Sequence, residues 1–500
     1  MGRKGKGSKA TLDKLNQKLD DLLATRNVLK ARLYEVDRNI ALTRLKQVEV
    51  TANSSMPCPI RTLPGELIAD ILETCHSTLS EKNKFYFPVH VSLVSKQWRS
   101  LVQSTSSLWA TIRASPAHLN RLVNYLQYSG AQPLDITFIG KCAHGELRIT
   151  TALGMLVSKI KQWRRLHIYT DGGRVFGMMI PQLLDAPAHR LEIFSVSLLG
   201  DGMYTQGRYA FHMDALRLHT VHLSKSPIDC RKSAFFRGLR VLRLEGPVAD
   251  GLPPLSSTDL QAVLAASPQL RELAVELPIR PPQLTDPPLA TIELPALRSL
   301  EVSCRSPDQR IPNANTVFWV LFAPSLEVFT LTRLGSQSWT AFLRSLFVEP
   351  QPRYARVRDL KLNSVRIHGD ITGYGHREGE NGRIGVRFID SFPSLKHLQC
   401  RDTDVTRIVR TLSYHLECGQ CSWPELEGLT VDKCDFSALL TFVRLRAQCQ
   451  KPLSLVQLPI VYRQLRDTSV EAIEEYTRVK YYRLEDDQEE YDYSFGSGDD

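Results

Sequence analysis

The residues best suited to chemistry are two cysteines of a Cys-x-x-Cys pair, Cys418 and Cys421, with His415 before them and Cys434 after them. Thiolate and imidazole are ligands that Zn²⁺ prefers, and structural zinc sites use such spacings. A second closely spaced pair is missing, however, and Cys434 falls on a position of a leucine-rich pattern. No thioredoxin-like strand and helix surround the pair, so a thiol-redox site is not indicated either. We therefore expect no metal and no other cofactor.

Other catalytic motifs are missing as well. The sequence contains no Gly-x-Ser-x-Gly, no His-Glu-x-x-His and no Walker motif. The glycine-rich run from Gly369 to Gly382 lacks the Gly-Lys-Ser/Thr ending of a phosphate loop, and we interpret it as a flexible insertion. No histidine is paired with a nucleophile in an identifiable pattern. We expect a chain that is not an enzyme and has no catalytic residues.

The composition is ordinary for a soluble globular protein, because 43% of its 500 residues are apolar and 23% are charged. No run approaches the length of a membrane span, and the basic start has no apolar stretch behind it, so we expect neither a membrane anchor nor a secretory signal. The ten scattered cysteines indicate reduced thiols in the cytoplasm and/or nucleus. The net charge of +10 comes from singly scattered basic residues, which do not indicate a nucleic-acid partner.

A small helical module is indicated near the N-terminus. Pro64 suits the first turn of its first helix. Three groups of apolar residues follow at helical spacing: Leu67, Ile68, Ile71, Leu72 and Cys75; Val91, Val94, Trp98 and Leu101; and Leu108, Trp109 and Ile112. Some fifty residues in short helices make a poor core on their own. The surplus apolar surface needs a cover, which is either a partner protein or the rest of the chain.

These residues resemble a known motif. The segments Leu63-Pro64-x-Glu66-Leu67-x-x-x-Ile71, Leu93-Val94-Ser95-Lys96-x-Trp98-Arg99 and Ser107-Leu108-Trp109 occur in the order of an F-box. The resemblance implies binding to the Skp adaptor subunit of a cullin–RING ubiquitin ligase. It places adaptor-binding or supporting residues at six positions: Leu63, Pro64, Leu67, Ile71, Val94 and Trp98. The long connection from His76 to His90 resembles that of fungal F-box proteins.

Residues 11–50 carry a heptad pattern. Apolar residues alternate in steps of three and four along one stripe: Leu12, Leu15, Leu19, Leu22, Leu29, Leu33, Val36 and Ile40. Arg26 and Thr43 interrupt this seam, and charged residues fill the other faces. The pattern predicts a coiled coil of about five heptads and self-association through it. The alternative is a single helix folded back on the body.

The remainder of the chain repeats the template apolar-x-x-apolar-x-apolar, so that it resembles a degenerate leucine-rich repeat. Ten copies open 21 to 38 residues apart: Trp163, Leu191, Leu218, Leu239, Leu270, Leu297, Leu326, Val357, Leu395 and Leu426. Eighteen of the twenty residues at the fifth and seventh positions are polar, as in a strand with one buried face. Prolines two residues before five openings are expected to end a preceding helix. Each unit is therefore predicted to be a strand plus a helix.

Stacked units of this kind form a curved solenoid whose concave face suits the binding of another protein. The candidate contacts with a protein substrate are polar residues at the fifth and seventh positions: His167, His222, Arg243, Glu245, Glu301, Lys361, Asn363, Arg401 and Asp432. The resemblance and the repeat together imply the substrate-receptor subunit of a Skp–cullin–F-box ubiquitin ligase, with the Skp adaptor, a cullin and a protein substrate as partners. The alternative is an interaction scaffold without a role in ubiquitination.

The expected fold class is α/β. Its segments are a basic disordered tail (1–10), a coiled-coil helix (11–50), a linker (51–59), an all-α F-box (60–112), connecting helices and a strand (113–160), the solenoid of parallel strands and helices (161–445), a cap (446–484) and an acidic disordered tail (485–500). The cap is expected to contain a helix through Val470, Ile473 and Tyr476.

Overall fold

The computed structural model describes residues 5–52, 60, 63–171, 175–177, 188–198, 215–225, 236–245, 255–276, 279–280, 291–304, 317–318, 320–348, 351–367, 388–465 and 468–483. The chain divides into two units, Met1–Leu79 and Ser80–Asp500. The first unit contains helices α1 (Gly5–Ala52) and α2 (Gly65–Thr78). The second is a mixed α/β unit in which parallel strands alternate with helices.

A parallel sheet of fourteen strands, counted over the described segments, runs through the second unit in chain order. Its strands are β1 (Thr111–Ala114), β2 (Leu134–Gly140), β3 (Trp163–Thr170), β4 (Ile193–Leu198), β5 (Thr220–Ser224), β6 (Val241–Glu245), β7 (Glu272–Val275), β8 (Ser299–Ser303), β9 (Val328–Thr332), β10 (Asp359–Asn363), β11 (His397–Asp404), β12 (Gly428–Lys433), β13 (Leu455–Pro459) and β14 (Arg478–Tyr482). Each strand between the two edge strands pairs with its predecessor and its successor, which is the quasi-one-dimensional topology of a repeat solenoid.

Helices precede the sheet and connect its strands. They are α3 (Glu81–Ser92), α4 (Lys96–Ser104), α5 (Leu119–Tyr128), α6 (Glu146–Val157), α7 (Ser257–Ala265), α8 (Ser336–Ser345), α9 (Thr406–Glu417), α10 (Phe436–Gln448), α11 (Ile460–Leu465) and α12 (Thr468–Glu474). Short two-residue strands also pair outside the main sheet: Leu255–Ser256 with Ile279–Arg280, Ile292–Glu293 with Leu321–Phe322, and Phe347–Val348 with Gln351–Pro352.

The ten strands predicted from the repeat are β3 to β12, and all ten are confirmed. Nine of them begin two residues after the predicted opening residue, and β3 begins at Trp163 itself. The fourth- and sixth-position side chains form the core; Leu360 and Leu362 of β10, for example, are fully buried. The alternation of buried and partly exposed residues follows because successive side chains of a strand point to opposite faces.

The prolines before the openings have a different role from the expected one. Pro268, Pro295 and Pro424 lie inside turns, at the second of four residues. In each turn the opening residue donates its backbone N–H to the carbonyl three residues earlier, as Leu270 does to Ser267 at 3.1 Å. Proline's fixed φ suits this second position of a β-turn. The proline therefore sets the turn into the strand, and α7 already ends at Ala265.

The N-terminal segments differ from the expected ones in three respects. Helix α1 begins at Gly5, so residues 5–10 are helical and not a disordered tail. The residues assigned to one second F-box helix form two helices, because Leu93 and Val94 make a turn and Ser95 caps α4 by accepting the Trp98 N–H at 3.1 Å. Helix α3 also fills much of the connection predicted between residues 76 and 90.

The sheet extends beyond the predicted solenoid at both ends. Strands β1 and β2 lie in the segments predicted as F-box and connector, and Ile112 belongs to β1. Strands β13 and β14 lie in the segment predicted as a cap. Helix α12 contains Val470 and Ile473, but Tyr476 follows its end. Residues 53–59 of the linker, the Gly369–Gly382 insertion and the acidic tail lie outside the described residues.

Candidate partner-binding surfaces

Helix α2 has apolar residues on two sides. Ile68 and Leu72 are buried, whereas Leu67 and Ile71 are 49% and 46% exposed. Pro64 is the residue before the first turn, and its ring suits a position where a backbone N–H would have no partner. The exposed side forms an open, mostly apolar groove lined by Leu63, Leu67, Asp70, Ile71, Thr74 and Cys75. Within the residues that the structure describes, this side of α2 is exposed apolar surface.

The turn between α3 and α4 is a second exposed apolar feature. Leu93 and Val94 are 70% and 63% exposed there. The serine cap of α4 and a hydrogen bond from Arg99 Nε to the Ser92 carbonyl at 3.1 Å fix the turn. Leu93 and Val94 are therefore held in a defined turn with their side chains exposed.

The six residues assigned to the Skp adaptor are all accessible to some degree: Leu63, Pro64, Leu67, Ile71, Val94 and Trp98. Trp109 is different, because its ring is buried, donates its Nε1–H to the Val102 carbonyl at 2.8 Å and packs edge-on to Tyr125. Leu93 is exposed beside Val94 but was not among the six assigned residues. Its signal in the sequence is an apolar residue placed two positions before an N-cap serine.

The nine predicted substrate contacts lie on one face of the sheet, which we call the polar face. Its fifth-position row is in unbroken register across the strands: Thr137, His167, Ser195, His222, Arg243, Ala274, Glu301, Thr330, Lys361, Gln399, Thr430 and Gln457. The seventh-position row contains Glu245, followed further along by Asn363 and Arg401, and Asp432 lies on the next strand, β12. Their contact with a substrate stays a prediction.

Ion pairs already occupy part of the polar face. His222 Nε2 donates to Glu245 Oε2 at 2.9 Å, and Arg243 Nη1 lies 3.9 Å from Glu245 Oε1. Burial works to raise the pKa of Glu245, but the His222 hydrogen bond and the charges of His222 and Arg243 outweigh it, so this pKa is lowered. Arg333, just after β9, pairs with Glu276.

Glu301 is a carboxylate near the middle of the polar face, and the described residues offer it no hydrogen bond or ion pair. Its neighbours in the row, Ala274 and Thr330, are small and uncharged. Burial raises the pKa of Glu301; Glu245 and Glu276 raise it further, against the charges of Arg243 and Lys361. A charged group held in this position costs folding free energy at neutral pH.

We expect Glu301→Gln to raise the midpoint of thermal unfolding at pH 7.5. A carboxyl whose pKa is raised by folding binds more protons in the folded state than in the unfolded state. The free energy of unfolding of the protein therefore falls as the pH rises above the unfolded pKa of about 4.3. The gain should therefore shrink at pH 4.5. Calorimetry at both pH values measures it, with the exposed Glu425→Gln as the control. An equal gain at both pH values would contradict the role of burial.

At the C-terminal end of the polar face, two predicted contact residues interact with tyrosines that the sequence did not identify. The Tyr482 hydroxyl donates to the Asp432 carboxylate, and the Arg401 guanidinium lies 5.0 Å from the centre of the Tyr482 ring. The Tyr462 hydroxyl donates to the Asp432 carbonyl at 2.7 Å. Burial and the Asp432 carboxylate raise the pKa of Tyr482. Asp432 and Arg401 are thus engaged within the chain.

The Cys-x-x-Cys pair and its neighbours do not form a cluster of metal ligands. Cys418 and Cys421 are exposed, while His415 is buried and its Nδ1 is hydrogen-bonded to Ser422 Oγ at 2.7 Å. Burial raises the pKa of the Cys434 thiol to about 12, which keeps it protonated. The part of the chain that the structure describes contains no group of three or more His, Cys, Asp or Glu side chains arranged to hold a metal ion.

Known proteins give little further guidance. No family model and no curated protein matches the sequence. A chain of the crystal structure of the Rad7 and Elc1 complex in yeast is similar over 84% of this chain and 92% of its own length, with a TM-score of 0.31 and 10% sequence identity. A similarity at this level does not indicate a function. Among the described helices, none is long and apolar enough to cross a membrane.

Proposed function

We propose that this chain is the substrate-receptor subunit of a Skp–cullin–F-box ubiquitin ligase in the cytoplasm and/or nucleus. In this proposal helix α2 and the α3–α4 turn bind the Skp adaptor, and the polar face binds a protein substrate. The chain performs no bond chemistry itself. It raises the concentration of the substrate near the ubiquitin carrier, which other subunits hold.

One observation carries the proposal, the exposed apolar side of α2. Leu67 and Ile71 occupy motif positions of the F-box resemblance, and both remain about half exposed. Covering the remaining apolar surface of each would contribute roughly 1 kcal/mol. A partner that covers the groove therefore gains free energy at the residues where the resemblance expects contact.

The polar face supports the second half of the proposal. Ion pairs in register across β5 and β6 preorganise its central side chains, and a preorganised surface loses less entropy on binding. Its mixed charge, with Arg243, Glu301 and Lys361 in one row, suits a polar protein surface more than a nucleic acid, which would require a basic stripe.

Co-expression of the full chain with the Skp adaptor and a cullin tests the proposal. We expect the three proteins to elute together from a size-exclusion column. If the chain binds the adaptor and never the cullin, the scaffold alternative is correct. If it binds neither, the F-box assignment is wrong.

A further inference from the structure

Helix α1 carries an apolar stripe that no described part of the chain covers. Six of its residues are between 44% and 62% exposed: Leu19, Leu22, Leu29, Leu33, Val36 and Ile40. The helix has 48 residues, which corresponds to a length of about 72 Å. Long helices gain most of their stability from packing of an apolar face, so this stripe requires a second helix.

The stripe follows the heptad positions of a two-stranded coiled coil. Leu19, Leu33 and Ile40 occupy a positions, and the d positions are Leu22, Leu29 and Val36. Leucine at d is typical of parallel dimers. Arg26 is a single charged residue at an a position. A polar residue at one a position limits the number of strands and fixes their register, because larger bundles bury that residue more completely.

The charges beside the stripe indicate which helix completes it. In a parallel pair of identical helices, a g residue faces the e residue five positions later in the partner, which places Arg32 opposite Asp37 twice. Neither residue has an ion pair within the described chain. An antiparallel pair would instead bring g positions together, and these hold Lys18, Arg32 and Lys46 without an acid. Like charges would then meet.

We propose that α1 forms a parallel, in-register two-stranded coiled coil with α1 of a second copy of this chain. The occupant is a second copy because the complementary pair, Arg32 with Asp37, is contained in one helix and is used twice by the two-fold axis. The dimer presents two α2 grooves and two polar faces. A target with two binding sites is then held by both copies, which raises the apparent affinity without new contacts.

Sedimentation velocity of the full chain tests the proposal. We expect a mass of about 113 kDa, twice the monomer mass of 56.6 kDa. The double variant Leu22→Glu, Leu29→Glu should be a monomer at concentrations where the wild type is a dimer, because each glutamate would face its copy across the seam. Both residues are about 60% exposed, so the variant should keep the thermal midpoint of the body.

Three further variants separate this proposal from other modes of association. Leu45→Glu is the matched control, since Leu45 is 61% exposed but lies at an f position away from the seam; it should remain a dimer. Arg26→Leu should lower the dimer Kd at least tenfold, because it removes two facing charges. Leu22→Cys should cross-link to itself under mild oxidation, which requires parallel, in-register helices.

A monomeric wild type, or a dimer that survives both glutamates, would overturn the proposal. If Leu22→Cys fails to cross-link beyond the wild-type level in a proven dimer, the parallel arrangement is wrong. The dimer test does not involve the Skp adaptor. A failure of the dimer proposal would therefore not contradict the proposed ligase function, and a failure of adaptor binding would not contradict the dimer proposal.

Discussion

Replacing both Leu67 and Ile71 by aspartate is expected to abolish binding of the Skp adaptor. Each side chain would fill a desolvated part of the interface, where loss of an apolar anchor costs about 2 kcal/mol or more. Two such losses correspond to a roughly thousandfold weaker affinity, and the buried carboxylates add a desolvation penalty. Isothermal titration calorimetry of the full chain with purified adaptor measures the change.

The same double variant should fold normally, because the mutated side chains are half exposed and their buried neighbours Ile68 and Leu72 are unchanged. Val123→Asp is the matched control. Val123 is 43% exposed on α5, outside the F-box motif, so this variant should bind the adaptor with wild-type affinity. If Leu67→Asp with Ile71→Asp binds as tightly as the control, α2 is not the docking helix.

The second large effect is expected at Arg446, a cation buried near the end of α10. The residue is 1% exposed, and its guanidinium donates to three backbone carbonyls: those of Lys451 at 2.8 Å, Trp423 at 3.0 Å and Leu426 at 3.0 Å. The side chain thus ties the end of α10 to the turn that leads into β12. No carboxylate contacts the charge in the described structure, and burial lowers the pKa of Arg446.

Arg446→Leu should destabilise the sheet around β12 by about 3 kcal/mol or more. The substitution removes three hydrogen bonds donated by a charged group, and each such bond contributes about 1.5 kcal/mol or more. The Trp423 carbonyl keeps the Leu426 N–H as a donor, so the loss is not that of three unsatisfied groups. Urea unfolding followed by tryptophan fluorescence measures the loss, since Trp423 is buried at the affected turn. Arg444→Leu, an exposed position two residues away, should change the midpoint little. Equal effects of the two variants would contradict the role of the buried hydrogen bonds.

The repeat could be predicted from sequence because strand alternation leaves a local signature. The same template also fits a strand that was not predicted, β13. Its first, fourth and sixth positions are Leu453, Val456 and Leu458. Strand β14 replaces the opening leucine with Tyr476, which we had assigned to a helix. The alternation places the nine candidate contacts on one face of the sheet, and their contact with a substrate stays a prediction.

Other features could not be predicted because they depend on residues distant in sequence. The pairing of His222 with Glu245 spans 23 residues, and that of Tyr482 with Asp432 spans 50. The residues next to these partners in the sequence form no pattern that predicts either contact. The helix break at Leu93 was missed for another reason: the i, i+3, i+4 spacing continues across it, while the cap formed by Ser95 competes with the helix there.

The register of the sheet has a consequence for how such a chain changes over evolutionary time. Fifth-position residues stay opposite one another although successive openings are 21 to 38 residues apart. Insertions and deletions in the connections can therefore accumulate without scrambling the order of the side chains on the surface. A different set of side chains on this face is then reachable by single codon changes, strand by strand, while the scaffold stays the same.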